Sequence, residues 1–351
     1  GTPENPRVSL LTDDGSRALL TDSTPYEKEM TWDGRYSDVY IVNTIDGSRE
    51  KIIEGLRGRA SSSTGGRYVI WFDHRDYDWH TYDVEKGTTR NLTAGIPVAF
   101  DREADDRPEP HNAHGTSGWT ENDAEVLIND EYDIWAVSPE TGKFRCITDG
   151  LGRASGIAFR IGGPDLRPDA ERDDNEKRRW MRNDLVLRAT NTNTYATGVY
   201  TDSVTGTSKP RKVVMKNAAL GRATRPRDAD RLFVTFSRYD QYPDVWTTDL
   251  AFENAKKLTD ACPIRRDVRW GSAELVNWRS DDGTELKGYL VKPDGFDPQK
   301  QYPMMVYFYE RSSNRIHSFS SPSIGTSPNA AYYVSNGYLW FVPDIVYRDG
   351  Y

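Results

Sequence analysis

The chain has 351 residues, room for two domains, with 36% apolar and 28% charged residues and a mean hydropathy of −0.76. That balance suits many short strands with one wet face better than a thick α/β core, and a formal net charge of −8 disfavours nucleic acid and anionic membrane as partners. No apolar run approaches a membrane span, Gly1-Thr2-Pro3-Glu4-Asn5 is no signal peptide, and the two cysteines, Cys146 and Cys262, make neither a disulfide framework nor a zinc site.

In chain order, Val8 to Leu11, the Asp13-Asp14-Gly15-Ser16 turn and Ala18 to Leu20 read as two strands. Asp38-Val39-Tyr40-Ile41-Val42 then runs through Asp46-Gly47 to Ile52-Ile53, an alternating hairpin with a Gly-containing turn. The same unit returns. Asp78 to Tyr82 runs through Lys86-Gly87 to Leu92-Thr93, and Asp133 to Val137 runs through Thr141-Gly142 to Ile147-Thr148. A worn copy, Gly198 to Asp202, turns at Thr205-Gly206, and Asp244 to Thr248 runs to Leu258-Thr259 without a glycine. Before these hairpins come the strands Tyr68 to Phe72, Val126 to Ile128, Leu185 to Leu187 and Leu232 to Phe236. A hairpin recurring at roughly 40 to 50 residues is the signature of a β-propeller with one four-stranded blade per repeat. About five blades precede Pro263. A second echo, Gly58-Arg59-Ala60-Ser61, Gly152-Arg153-Ala154-Ser155 and Gly221-Arg222-Ala223-Thr224, is expected where the chain drops into the next innermost strand.

Two inserts break the rhythm. Phe100 to Gly115 is acidic and Pro-containing, and Pro164 to Arg182 is denser in charge, with a short helix expected from Pro168 to Arg179. Both are expected to overhang a blade edge. Asp101, Glu103, Asp105, Asp106, Glu109, His111 and His114 match no zinc or calcium pattern, so a solvated loop is expected there, as it is for Asp73 to Asp78. Arg59, Arg153 and Arg222 are expected to salt-bridge within the propeller rather than ring a tunnel. Lys177-Arg178-Arg179 is balanced by Asp173, Asp174 and Glu176, which gives no nucleic-acid signal.

After Cys262-Pro263 the repeat stops. Ala273 to Trp278 and Leu286 to Val291 form a wider hairpin around Asp281-Asp282-Gly283. Met304 to Tyr309 is nearly unbroken apolar and reads as a strand covered on both faces. Ser327 as N-cap, Pro328 and Gly337 bracket a helix from Asn329 to Asn336, and Tyr338 to Val342 is a second buried strand. Strand, helix, strand is the start of an α/β domain. The division is therefore a partial propeller over 1–268 and the start of an α/β domain over 269–351.

Trp278, Ser280, Asp282-Gly283, Leu286, Gly288, Leu290, Pro293 and Gly295-Phe296-Asp297, then Tyr302-Pro303, then Gly337-Tyr338 to Pro343-Asp344, resemble the prolyl oligopeptidase family of serine peptidases, nearest to its dipeptidyl-peptidase-IV-like branch. The specific part covers about the last 80 residues. The resemblance implies an α/β-hydrolase domain capped by a propeller that gates access by size, cutting short peptides with a Ser-His-Asp triad and no cofactor. No G-x-S-x-G occurs in the 351 residues, so the triad is expected outside them, the stretch is expected to be inert alone, and more blades are expected upstream because family propellers carry seven or eight. A homodimer would form through hydrolase-domain residues outside this stretch, and the family suggests a periplasmic or secreted enzyme.

The resemblance assigns one catalytic role here. Tyr309, six residues after Pro303, matches the tyrosine whose hydroxyl donates to the oxyanion in that branch. Family members follow it with a Gly-containing turn, whereas Glu310-Arg311-Ser312-Ser313 stands here. The pair of propeller glutamates that holds a substrate's amino terminus has no convincing match. His317 falls too early in the fold order to be the triad base and is expected to be a surface loop residue. A propeller that only binds, without catalysis, is the alternative. The strand-helix-strand tail argues against it.

Overall fold

The computed structural model describes residues 7–12, 14–163, 166, 181, 183–206, 208–221, 223–226, 228–262, 267–322 and 325–347. Among them the chain is mainly β, and no helix is long and apolar enough to cross a membrane.

Five four-stranded antiparallel sheets follow one another, each paired in chain order. The first holds β1 (Arg7–Leu10), β2 (Arg17–Asp22), β3 (Tyr36–Asn43) and β4 (Arg49–Arg57). The second holds β5 (Ala60–Ser62), β6 (Tyr68–Asp73), β7 (Asp78–Asp83) and β8 (Thr88–Asn91). The third holds β9 (Thr116–Trp119), β10 (Val126–Asn129), β11 (Ile134–Val137) and β12 (Phe144–Cys146). A five-residue helix, α1 (Leu151–Ser155), leads into the fourth, β13 (Ile157–Ile161), β14 (Asp184–Asn191), β15 (Thr197–Ser203) and β16 (Arg211–Lys216). The fifth holds β17 (Ala219–Leu220), β18 (Leu232–Ser237), β19 (Val245–Thr248) and β20 (Lys256–Lys257). Such a succession of meanders is the arrangement of a β-propeller.

The sheets stack face to face in chain order, which explains the apolar runs of their second strands. Val69 and Trp71 of β6 pack with Leu19, Val39 and Ile41 of the first sheet, whereas Tyr68, Ile70 and Phe72 pack with Val126 and Ile128 of the third. Leu127 faces the other way, onto Leu185, Leu187 and Ala189 of β14. A strand with neighbours on both faces has no side to spare for water, so alternation gives way to continuous hydrophobicity. Polar links reinforce the stack: Asp123 accepts from the Ser63 hydroxyl at 2.6 Å and the Gly65 amide at 2.8 Å, and the Tyr82 hydroxyl reaches Glu50 at 2.7 Å.

The Asp-to-Thr frame closes the outer hairpins that start at Asp78, Asp133 and Asp244. The Thr93 hydroxyl donates to Asp78 at 2.6 Å while accepting from the Trp79 amide at 2.9 Å. Thr259 does the same between Asp244, at 2.8 Å, and the Val245 amide, at 3.0 Å. In the worn copy Thr197 stands in the aspartate position, and its hydroxyl joins Ala218 and Leu220 at the entry to the next sheet. The GRAS echo is different in each place. Gly58-Arg59 does precede the innermost strand β5, but Gly152 to Ser155 lie in α1, because the Asp133 carboxylate takes the Gly152 and Arg153 amides and starts a helical turn. Gly221 follows β17 instead of preceding it, and Arg222 lies outside the described residues.

The sixth sheet is of another kind. Its order is β21 (Ser272–Arg279), β22 (Glu285–Lys292), β24 (Leu339–Pro343) and β23 (Met304–Val306). β22 and β24 are antiparallel, but β23 and β24 are parallel and are joined through α2 (Ala330–Ser335). A parallel pair needs a crossover, and the helix supplies it. Ala330, Val334, Trp340 and Val342 form its core with Tyr239 and Val291. The N-cap is Asn329, not Ser327: its side chain accepts the Tyr332 amide. At the other end the Gly337 amide bonds Val334 and the Tyr338 amide bonds Tyr333, with Gly337 at φ +83°, the left-handed closure a glycine favours.

The expected doubly covered strand from Met304 to Tyr309 is corrected. β23 is three residues long and lies at the sheet edge, and Met304, Val306, Phe308 and Tyr309 are 46 to 71% exposed. With β24 on one side only, nothing among the described residues covers its outer flank.

Candidate active-site loops

The loops that leave β23 and β24 lie side by side and are bound to each other. The Tyr307 amide still pairs with the Phe341 carbonyl at 2.9 Å, after which the chain turns out of the sheet. Glu310 makes the turn at φ +47°, in the left-handed region where a glycine would be unstrained. The strained turn is held by its surroundings. The Ile345 amide donates to the Glu310 carbonyl at 2.9 Å. Asp344, only 8% exposed, accepts the Ser312 and Ser313 amides on one oxygen at 2.6 and 2.8 Å.

Tyr309 sits at the head of this turn and is 71% exposed; among the described residues its hydroxyl has no hydrogen-bond partner. An unengaged neutral donor can serve an incoming acceptor. Asp344 was visible in the sequence as the end of the P-D motif, without a role. The partnership of Arg311 with Asp106, across 205 positions, gave no local signal at all.

The acidic insert comes up against these loops. Its acids are ion-paired, although Glu103 and Glu109 remain exposed to solvent. Asp101 meets His111 at 3.0 Å, Glu103 meets Arg153 at 2.5 Å, and Asp106 meets Arg311 at 2.8 Å. Arg107 beside Asp105 holds that carboxyl down at about 2. The two histidines diverge, since His114 turns to Glu131 at 2.9 Å and its hydrogen bond lowers the Glu131 carboxyl. Between insert and loops lies a cavity of about 450 Å³ lined by Arg102, Asp105, Glu131, Glu310, Arg311 and Tyr347.

Elsewhere, Asp73, Asp76 and His80 bring ligand atoms within 4.8 Å of one another, but Arg75 already forks onto Asp73 and His80 bonds Asp76. His317 is not a surface residue. It is 7% exposed, its Nε2 lies 3.1 Å from the Thr194 carbonyl, and burial pushes its pKa down. Of the three arginines, Arg153 is ion-paired and Arg59 is exposed. The helix expected between Pro168 and Arg179, with its basic run, lies outside the described residues. Both cysteines are free thiols.

No protein-family model and no curated protein matches the chain. Solved structures do. A Bacteroides ovatus protein assigned as a dipeptidyl aminopeptidase IV matches at a TM-score of 0.58 and 14% identity, over 96% of this chain and 51% of that one. A post-proline cleaving enzyme from Rickettsia typhi matches at 0.51 and 11%, over 97% and 48%. The chain shares their fold. It spans about half the length of each, and at these identities the likeness is one of architecture. The likeness in fold covers nearly the whole stretch, including the last 80 residues.

Proposed function

We propose that residues 1–351 are the propeller-bearing portion of a serine peptidase of the prolyl oligopeptidase family, dipeptidyl-peptidase-IV-like branch, acting on short peptides. The observation that carries this reading is the mixed sheet with its parallel β23–α2–β24 unit, set directly after five antiparallel meanders. A propeller that only binds has no use for such a sheet.

In this reading the propeller admits short peptides and excludes folded chains, and the serine, aspartate and histidine come from residues outside this stretch. Tyr309 presents its hydroxyl to the oxyanion of the tetrahedral intermediate. A neutral donor aimed at charge that develops only in the transition state contributes about 3 to 4 kcal/mol in a site closed to water. Asp344 holds the Ser312 and Ser313 amides, and Glu310 holds the bend, so the tyrosine's position is set by backbone and not by its own packing.

The test is to express the complete reading frame and assay it on dipeptidyl and prolyl chromogenic peptides with a fluorophosphonate probe. Turnover, with labelling of a serine in a G-x-S-x-G beyond residue 351, supports the peptidase. A reading frame with no such serine, or no turnover and no labelling, overturns it.

A further inference from the structure

One carboxylate joins the acidic insert to both loops of the candidate site. Asp106 Oδ2 accepts Arg311 Nη2 at 2.8 Å and the Tyr347 amide at 2.9 Å. Its side chain is 19% exposed and that of Arg311 is 43% exposed, so the acceptor is sheltered while the guanidinium is wet. Charge-assisted bonds of this kind are about twice as strong as neutral ones. The insert is braced behind Asp106 by the Asp105–Arg107 fork and by Glu103 on Arg153. In front of it, Arg311 and Tyr347 belong to the two loops that Asp344 and Glu310 already tie together. A side chain from residues far ahead of the mixed sheet therefore adds a tie, beside those of Asp344 and Glu310, to the turn that begins at Tyr309.

We propose that Asp106 is a positioning residue: by holding Arg311 and the Tyr347 amide together it sets the Tyr309 turn, so that the tyrosine is in place only while the acidic insert is docked. This rests on the oxyanion reading of Tyr309 given above. Asp106 need touch no substrate. A displacement of about 1 Å in a positioned group lowers rate by about a hundredfold, so a small release of this turn has a large effect. Because Arg311 is half exposed, added salt weakens the link.

The experiment uses the full-length protein and a short chromogenic peptide. Asp106→Ala is expected to lower kcat between about tenfold and a hundredfold with little change in KM, and Arg311→Ala to lower it less. In a Tyr309→Phe background the loss from Asp106→Ala should disappear, because nothing remains to be positioned. Equal losses in both backgrounds overturn the proposal and leave the oxyanion reading standing. An unchanged kcat in Tyr309→Phe alone overturns both. Amide hydrogen exchange supplies a reading independent of turnover: Ser312, Ser313 and Tyr347 should exchange at least about tenfold faster in Asp106→Ala, with β22 unchanged. Unaltered exchange at those three amides also overturns it. Should Asp106→Ala not fold, Asp106→Asn carries the same comparisons.

Discussion

The Thr148 hydroxyl donates to Asp133 Oδ1 at 2.5 Å, fifteen positions along the chain from its partner and across the mouth of an outer hairpin. Asp133 is 2% exposed, and its two oxygens also take the Gly152 and Arg153 amides at 2.9 Å. Removing the acceptor strands three donors, two of them buried. Asp133→Ala is expected to cost about 3 to 5 kcal/mol, and Thr148→Val, which loses the bond to Asp133 and the weaker one from the Ile134 amide at 3.3 Å, about 1 to 2 kcal/mol. Urea midpoints of the two variants measure the difference, and similar values would show that the clasp is not the source.

The same corner makes Gly152 irreplaceable for a steric reason. A Cβ there would lie 2.6 Å from Asp133 Oδ1, 2.7 Å from the Tyr132 carbonyl and 2.8 Å from the Ile157 carbonyl. Two of those contacts are backbone and cannot swing away. Gly152→Ala should therefore destabilise by about 2 to 3 kcal/mol, whereas alanine in a helix normally gains over glycine. Thermal melting of the variant decides it, and an unchanged midpoint would contradict the packing described.

Tyr309→Phe in the full-length protein should reduce kcat by about a hundredfold to a thousandfold while leaving the melting temperature within about 2 °C. The side chain is 71% exposed and supports no core, so stability has little to lose. A fall in melting temperature in step with activity would make the residue structural.

Asp202 sets a pH dependence. One of its oxygens is buried without a partner among the described residues, and burial is the largest cause pushing its pKa up to about 6. The folded protein therefore holds that proton more tightly than the unfolded chain, whose carboxyl stays near 3.8. Its contribution is fully present below about pH 4 and is lost as pH rises through about 6. At pH 7 Asp202→Asn should be the more stable protein by about 1 to 2 kcal/mol, a figure reduced for partial exposure, with the gain absent at pH 4. Urea unfolding at the two pH values reads it, and a gain of equal size at both would refute the assignment.

Much of the architecture was legible because strands with one or two buried faces leave a period in the letters. The hairpins from Asp38, Asp78, Asp133 and Asp244 and the runs from Tyr68 and Val126 appear where alternation or continuous apolarity places them. The Asp-to-Thr frame was readable as spelling, but its cause, a side-chain clasp, needed coordinates. Errors came where one spelling serves several conformations. GRAS-like tetrapeptides lie before a strand, in a helical turn and after a strand, according to whether a buried carboxylate collects their amides. Ser327 and Asn329 are both good caps, and only geometry chose between them. The run from Met304 reads as covered because its composition records what a strand tolerates on both sides; its place at the sheet edge is set by strand order, which no local window contains. The Asp106–Arg311 link belongs to the same class of information.

The bare flank of β23 matters to anyone handling residues 1–351 in isolation. Among the described residues no strand pairs with the outer edge of β23, beside the exposed Phe308 and Tyr309, and such an edge is a template onto which a second molecule can add its own. Such material will tend to clump on concentration, and gentle detergents or a fused solubility partner will mask this without curing it.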